Sequence, residues 1–249
     1  MRLLHEFEHE GRHMRMYLAA YSAGRHATPS PAVQVTRLDP ELDFMEIPYG
    51  RLTVNLHGGP RLGAWRVHVK TWSENEDLAA MCMATGVFSE LDMPASAGHT
   101  QAATWSIRPE RIRLDALDFA IGELGLIPSR SQALTVLANE YSKIATNEGG
   151  CIQLGATNGQ GDVARLAVDH LGRIHCESAR HMGIDASRLD KGPLDCTIFG
   201  LPFHLTGEPS EDERAIRQMV SGAAEHIQRL RLQPDRTEDG FDRPRGQST

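Results

Sequence analysis

Residues 103–141, ATWSIRPERIRLDALDFAIGELGLIPSRSQALTVLANEY, carry the clearest secondary-structure signals in the chain. Polar and apolar side chains alternate from Ala103 to Arg108, as in a strand with one buried face. Pro109 ends the alternation, because its ring fixes φ and it has no amide hydrogen. Apolar residues then recur at helical spacing as far as Gly125. The stretch therefore predicts a strand followed by an amphipathic helix.

A second helix is predicted to begin beside Ser129. Pro128 precedes it, and Ser129 with Gln132 has the spacing of a capping box, in which each side chain bonds the other residue's backbone amide. The predicted buried face of this helix comprises Ala133, Leu134, Leu137 and Tyr141.

This central unit resembles the ribbon-helix-helix family of DNA-binding regulators. The resemblance is carried by Ser106-Ile107-Arg108-Pro109, by Gly125-Leu126 and by Ser129-Arg130-Ser131-Gln132-Ala133. It implies that strands from two subunits pair as an antiparallel ribbon, which enters the major groove of double-stranded DNA. A lone two-stranded ribbon is marginally stable, so the resemblance also implies an obligate homodimer.

The resemblance implies two groups of DNA contacts. The strand would contact base edges, and the start of the second helix would hold a phosphate. The residues concerned are Thr104, Ser106 and Arg108 for the bases, and Ser129, Arg130 and Ser131 for the phosphate. Our first hypothesis is therefore a non-enzymatic, dimeric DNA-binding regulator.

The charge of the chain favours a different partner. Residues 100–148 contain six acidic and five basic residues, and the whole chain has a net charge of −7 with histidines neutral. Phosphate binding requires a positive surface, whereas an acidic surface complements a basic protein. The second hypothesis is an acidic protein-binding module of immunity or antitoxin type, which neutralises a basic partner and binds no DNA.

Composition predicts a cytoplasmic protein without a membrane span. The sequence has no apolar run of about eighteen residues, the length typical of a membrane helix, and no N-terminal signal pattern. No motif indicates a cofactor, so none is predicted. Widely spaced cysteines without a Cys-x-x-Cys pair predict buried, reduced thiols. They are Cys82, Cys151, Cys176 and Cys196.

The flanking sequences predict an α+β fold of antiparallel sheets and capped helices around the central strand-helix-helix unit. Upstream, we predict a hairpin in residues 42–57 turning at Tyr49-Gly50, a strand over 64–72, a helix opened by a Ser73/Glu76 capping box and a linker over 93–98.

Downstream, the pattern predicts short strands over 151–154, 163–168, 174–178 and 195–205, then a helix from Ser210 that Pro234 stops. The predicted domains are an N-terminal α+β domain (1–95), the central unit (100–147), a C-terminal α+β domain (150–232) and a disordered tail (233–249).

Two histidine-containing patterns suggest metal sites. His5-Glu6-Phe7-Glu8-His9 fits H-E-x-x-H, which on a helix binds zinc and supports a third hypothesis, a metal-dependent hydrolase. As a strand turning at Gly11, the same residues carry no such chemistry, and we favour this interpretation. A second cluster with metal-compatible residue types comprises His170, His175, Cys176 and His181. In a strand, His175 and Cys176 would point to opposite faces and could not both bind one ion without distortion, so we favour a structural role. The glycine-rich residues 155–161 lack the following Lys-Ser/Thr of a phosphate loop and predict a hairpin loop.

Overall fold

The computed structural model describes residues 1–21, 29–56, 65–148, 152–157, 163–168, 174–176, 192–198 and 201–232. These residues form thirteen strands and four α-helices, and the strands make three antiparallel sheets. The predicted α+β class with antiparallel sheets is confirmed.

The first sheet contains the N-terminal strands β1 (Arg2–His9), β2 (Arg12–Ala20), β3 (Pro31–Asp39) and β4 (Met45–Arg51), in the order β1-β2-β3-β4. Residues 5–9 therefore lie in a strand, as the favoured interpretation predicted. The β1–β2 turn places Glu10 at φ 50° and Gly11 at φ 72°. Strands of right-handed twist are well joined by such a turn with two positive φ values.

The hairpin predicted to turn at Tyr49-Gly50 turns elsewhere. Both residues lie within β4, and the chain reverses at Asp43-Phe44 between β3 and β4. The predicted turn position is wrong. Gly50 does not form a turn; it allows the backbone of β4 to pack closely against the Leu78 side chain. A Cβ at Gly50 would lie 2.8 Å from Leu78 Cδ2.

The second sheet is ordered β5-β6-β8-β7 and consists of β5 (Thr53–Val54), β6 (Arg66–Val69), β7 (Phe88–Ala97) and β8 (Thr100–Ile107). The predicted linker over 93–98 is wrong, because most of that segment lies in β7. Residues Ala95, Ser96 and Ala97 pair with β8 across the turn.

Helix α1 (Glu76–Ala84) follows a 3-10 turn, Ser73–Asn75. The predicted Ser73/Glu76 capping box is wrong, since Asn75 is the N-cap residue and makes no side-chain capping bond. Ser73 instead lies in the preceding turn with φ 51°.

Helices α2 (Leu114–Leu124) and α3 (Arg130–Glu148) complete the predicted strand-helix-helix order after β8. Gly125 ends α2 in the left-handed conformation at φ 66°. The predicted capping box of α3 is confirmed: the Ser129 amide donates to Gln132 Oε1 at 3.0 Å, and the Gln132 amide donates to Ser129 Oγ at 3.3 Å.

The third sheet is ordered β11-β10-β9-β12-β13. Its strands are β9 (Ile152–Thr157), β10 (Val163–Val168), β11 (Ile174–Cys176), β12 (Leu194–Ile198) and β13 (Leu201–Leu205), and α4 (Pro209–Leu232) follows. The single strand predicted over 195–205 is therefore two. The buried face of α4 includes Ile216, Met219, Val220, Ala223 and Ile227.

One hydrophobic cluster joins these elements. Helix α2 packs on β1, β2 and α4, and α3 packs on α4. The cluster includes Leu4, Met16, Trp105, Leu117, Leu194 and Ile216. The core is thus continuous across the predicted domain limits, and the division into domains stays a prediction. The predicted disordered tail, 233–249, lies outside the described residues. No described helix is long and apolar enough to cross a membrane.

Candidate protein-binding site

Strand β8, which the resemblance assigned to an intersubunit ribbon, is paired on both sides within its own chain. Trp105 lies opposite Val67 of β6 on one side and opposite Glu90 of β7 on the other. A strand hydrogen-bonded along both edges has no free edge for a second subunit. The predicted ribbon geometry is therefore wrong for this chain.

The residues predicted to read bases lie in or beside this central strand. Thr104 is 1% exposed, and its hydroxyl donates to the Met93 carbonyl oxygen. The same hydroxyl lies 3.3 Å from His68 Nδ1. Because a hydroxyl has one hydrogen, it accepts from an Nδ1–H of His68. Ser106 and Arg108 are half-buried. Thr104 therefore presents no group to a base edge.

The residues predicted to bind phosphate lie at the start of α3, where the Arg130 side chain is buried. Arg130 is 6% exposed, forms an ion pair with Asp212 and donates to the Gly192 carbonyl oxygen at 2.5 Å. Ser129 Oγ lies 3.3 Å from Ser131 Oγ beside the capping box. The phosphate role predicted for Arg130 is not compatible with this burial.

The metal interpretations gain no geometric support. In the part of the chain that the structure describes, no three His, Cys, Asp or Glu residues are arranged to hold a metal ion. His5 and His9 lie on a strand, so the helix that H-E-x-x-H chemistry requires is absent there. The side chains of His175 and Cys176, with His170 and His181, lie outside the described residues, as do residues 158–161.

The feature that sequence analysis missed is the tip between β3 and β4, residues 39–46, here called the β3–β4 tip. Phe44 is 64% exposed, Met45 61% and Leu42 51%, and Tyr49 follows on β4 at 41%. Exposed apolar side chains are common singly, whereas contiguous exposed apolar patches are found at interaction sites. These four residues are among the most exposed large apolar residues in the described ranges.

Local chemistry explains the shape of the tip. Asp39 caps a 3-10 turn over Pro40–Leu42, since its Oδ1 accepts from the Glu41 amide at 3.0 Å. Asp43 and Phe44 then both adopt left-handed backbone conformations, at φ 54° and 57°. Asp tolerates this region, whereas a bulky L-residue such as Phe is strained there. Backbone strain of this kind concentrates at functional sites.

The tip is also acidic. It contains Asp39, Glu41, Asp43 and Glu46 and no Lys or Arg. Arg37 Nη2 lies 3.8 Å from Asp39 Oδ2, so these two side chains form an ion pair. Within the described ranges, Glu41 and Asp43 form no ion pair, so their charges face solvent beside Leu42 and Phe44.

Glu46 fixes the base of the tip to the sheet. Its carboxylate accepts from Arg15 and from the Tyr17 hydroxyl, each at 2.5 Å, and from the Thr36 hydroxyl at 3.4 Å. Burial raises the pKa of Glu46, but the Tyr17 and Arg15 contacts outweigh it and the pKa is lowered. Burial and Glu46 together raise the pKa of Tyr17 to about 12. The network joins β4 to β2 and β3, so the tip projects from a fixed support.

Strand β4 is an edge strand that is poorly suited to accept another strand. Among the described strands it pairs only with β3, and the register shifts between Val35 and Thr36, leaving Tyr49 without a partner residue. Pro48 supplies no amide hydrogen. Proline and bulges at an edge hinder strand addition.

Comparison with protein-family models, with curated proteins and with solved structures finds no match to this chain.

Proposed function

We propose that this protein is a non-enzymatic, acidic protein-binding module that engages a basic partner protein through the β3–β4 tip. One observation supports the proposal above all: Leu42, Phe44 and Met45 are each more than half exposed within a segment that has four carboxylates and no cation. Apolar side chains supply binding energy, and the surrounding charge selects the partner.

The charge of the tip discriminates among partners. A symmetric contact between the tips of two copies would bring the same carboxylates together, and DNA would bring phosphates towards Glu41 and Asp43. Both arrangements are repulsive, while a surface rich in Lys and Arg is attracted. The net charge of −7 acts in the same direction at long range.

The test measures binding of fluorescent poly-L-lysine to the full chain at low salt. The double variant Glu41→Gln/Asp43→Asn removes two tip charges. Its matched control is Glu90→Gln/Asp92→Asn, which removes one Glu and one Asp that are exposed on β7. Exposed ion pairs contribute about 0.2–1 kcal/mol each, so the tip variant should bind roughly two- to thirtyfold more weakly.

The control variant should bind poly-L-lysine nearly as well as the wild type. An equal loss in both variants would mean that attraction is spread over the whole surface, and the tip would have no special role. A random-sequence DNA duplex that binds more tightly than poly-L-lysine at the same salt would instead favour nucleic-acid binding.

A further inference from the structure

Resting on the proposed function, we infer the mode of recognition: the Phe44 ring inserts into an apolar pocket of the partner, and basic side chains surround that pocket. Insertion of a side chain is distinct from the addition of a partner strand to β4.

The position and conformation of Phe44 favour insertion. It occupies the turn itself, is 64% exposed and has φ 57°. The fold thus holds a bulky ring outward in a backbone conformation that such a residue rarely adopts. An aromatic ring has only two χ angles, so ordering it on binding costs little conformational entropy. Rigid aromatic anchors that enter pockets dominate many protein interfaces.

The neighbouring residues define the mouth of the complementary pocket. Apolar Leu42 and Met45 lie beside Phe44, and acidic Glu41 and Asp43 alternate with them along the chain. A partner that receives the ring therefore meets both apolar side chains and carboxylates. The complementary surface has an apolar cavity with ammonium or guanidinium groups around its opening.

The edge of β4 argues against strand addition. Pro48 lacks an amide hydrogen, and the irregular register at Tyr49 interrupts regular pairing. The Glu46 contacts to Arg15 and Tyr17 keep β4 attached to its own sheet. The same contacts hold the tip in place before a partner arrives.

The experiment uses a small host with the inferred chemistry, β-cyclodextrin with ammonium groups on its narrow rim, whose cavity accepts a phenyl ring. Calorimetry with the full chain should show tighter binding of this host than of neutral β-cyclodextrin. Phe44→Ala should weaken binding of the ammonium host more than fivefold, whereas Phe44→Tyr should retain it. Phe44→Gly should weaken it equally, and glycine tolerates the positive φ, so a folding defect cannot account for the loss.

Leu232→Ala is the matched control, because Leu232 is exposed at the far end of α4. It should leave host binding unchanged. If Phe44→Ala has no effect while Glu41→Gln/Asp43→Asn still weakens poly-L-lysine binding, insertion is overturned and the proposed function stands. If neither variant changes binding of its probe, both fail.

A final probe addresses strand addition directly. An alternating Lys-Val peptide has positive charge and strand-forming sequence but no pocket. It should bind no more tightly than poly-L-lysine of equal charge. Tighter binding of this peptide that survives Phe44→Ala would overturn insertion and assign recognition to the β4 backbone.

Discussion

Replacing Arg130 by methionine should remove the ion pair that joins the start of α3 to the start of α4. The Arg130 side chain is 5% exposed and that of Asp212 is 13% exposed. Methionine keeps an unbranched chain of similar length, so the main loss is the charge and its hydrogen bonds. Asp212 then remains as a carboxylate that is mostly out of water.

The loss of stability in Arg130→Met depends on the hydrogen bonds that Asp212 retains. Removing one partner of a buried ion pair costs about 3–5 kcal/mol. Asp212 Oδ1 still accepts from the Thr206 amide at 2.7 Å and the Gly207 amide at 3.2 Å. These bonds place the expected cost at the lower end, about 3 kcal/mol. For a chain of this size, that corresponds to a fall in Tm of roughly 6–12 °C.

The cost should also depend on pH. Burial raises the pKa of Asp212, but Arg130 and the backbone amides outweigh it, so the pKa is lowered. A carboxylate with a lowered folded pKa stabilises the fold above its unfolded pKa of about 3.9, and this stability is lost as the pH falls through the folded pKa. The difference between wild type and variant should therefore shrink below about pH 4.

The assay is urea unfolding followed by tryptophan fluorescence at several pH values. Arg214→Met is the control, since Arg214 is exposed on α4, and it should change stability by less than about 0.5 kcal/mol. A cost for Arg130→Met below about 1 kcal/mol at pH 7, with no pH dependence, would refute the buried pair. Arg130 would then be free for the phosphate role that the resemblance predicted.

Three further predictions concern the core and the helix cap. Ser129→Ala should lower the free energy of unfolding by about 1 kcal/mol in urea titrations, because it removes one capping bond of α3. Burial lowers the pKa of His68. The contribution of His68 to the free energy of unfolding should therefore be complete above the unfolded pKa of about 6.5 and should decrease as the pH falls. His68→Gln should remove that part of the pH dependence of stability. Burial raises the pKa of Cys82 to about 12, so alkylation mapped by mass spectrometry should modify Cys82 only after unfolding, and rapid labelling of the native protein at pH 8 would contradict its burial.

The boundary between α2 and α3 could be predicted because its signals are local, whereas the Ser73/Glu76 pattern before α1 forms no cap. The Ser129 and Gln132 capping bonds lie within one helical turn, and Gly125 supplies the left-handed residue that ends α2. Both signals depend on neighbouring residues and survive folding unchanged. The α+β class follows from the same local periodicities.

The fate of β8 could not be predicted in this way, because strand pairing is not local. Its neighbour β6 comes from Arg66–Val69, across a segment that includes α1 and β7. Alternation shows that a strand has a buried face, but not which strands lie at its edges. Likewise, the burial of Arg130 depends on Asp212, which is 82 positions away. The resemblance assigned Arg130 to the surface because its partner could not be identified.

The β3–β4 turn could not be predicted from the sequence because it lacks the residue pair typical of such turns. Hairpins with two positive φ values normally use Asn-Gly or Asp-Gly, and Asp43-Phe44 offers only the first half of that signal. The glycine of Tyr49-Gly50 is the stronger turn signal, so the sequence predicts the turn there.

The neighbouring hairpin shows that this choice of residues is not imposed by the fold. In the same sheet, the β1–β2 turn uses Glu10 and Gly11 at similar positive φ values, and neither residue is apolar. A glycine in place of Phe44 would relieve backbone strain, and it would leave no aromatic ring exposed to water. Backbone conformation and solvent exposure therefore both disfavour phenylalanine at this position. Sequences break such rules together mainly where function requires it. Stability and binding should therefore change in opposite directions in Phe44→Gly, the relief of strain amounting to about 1 kcal/mol.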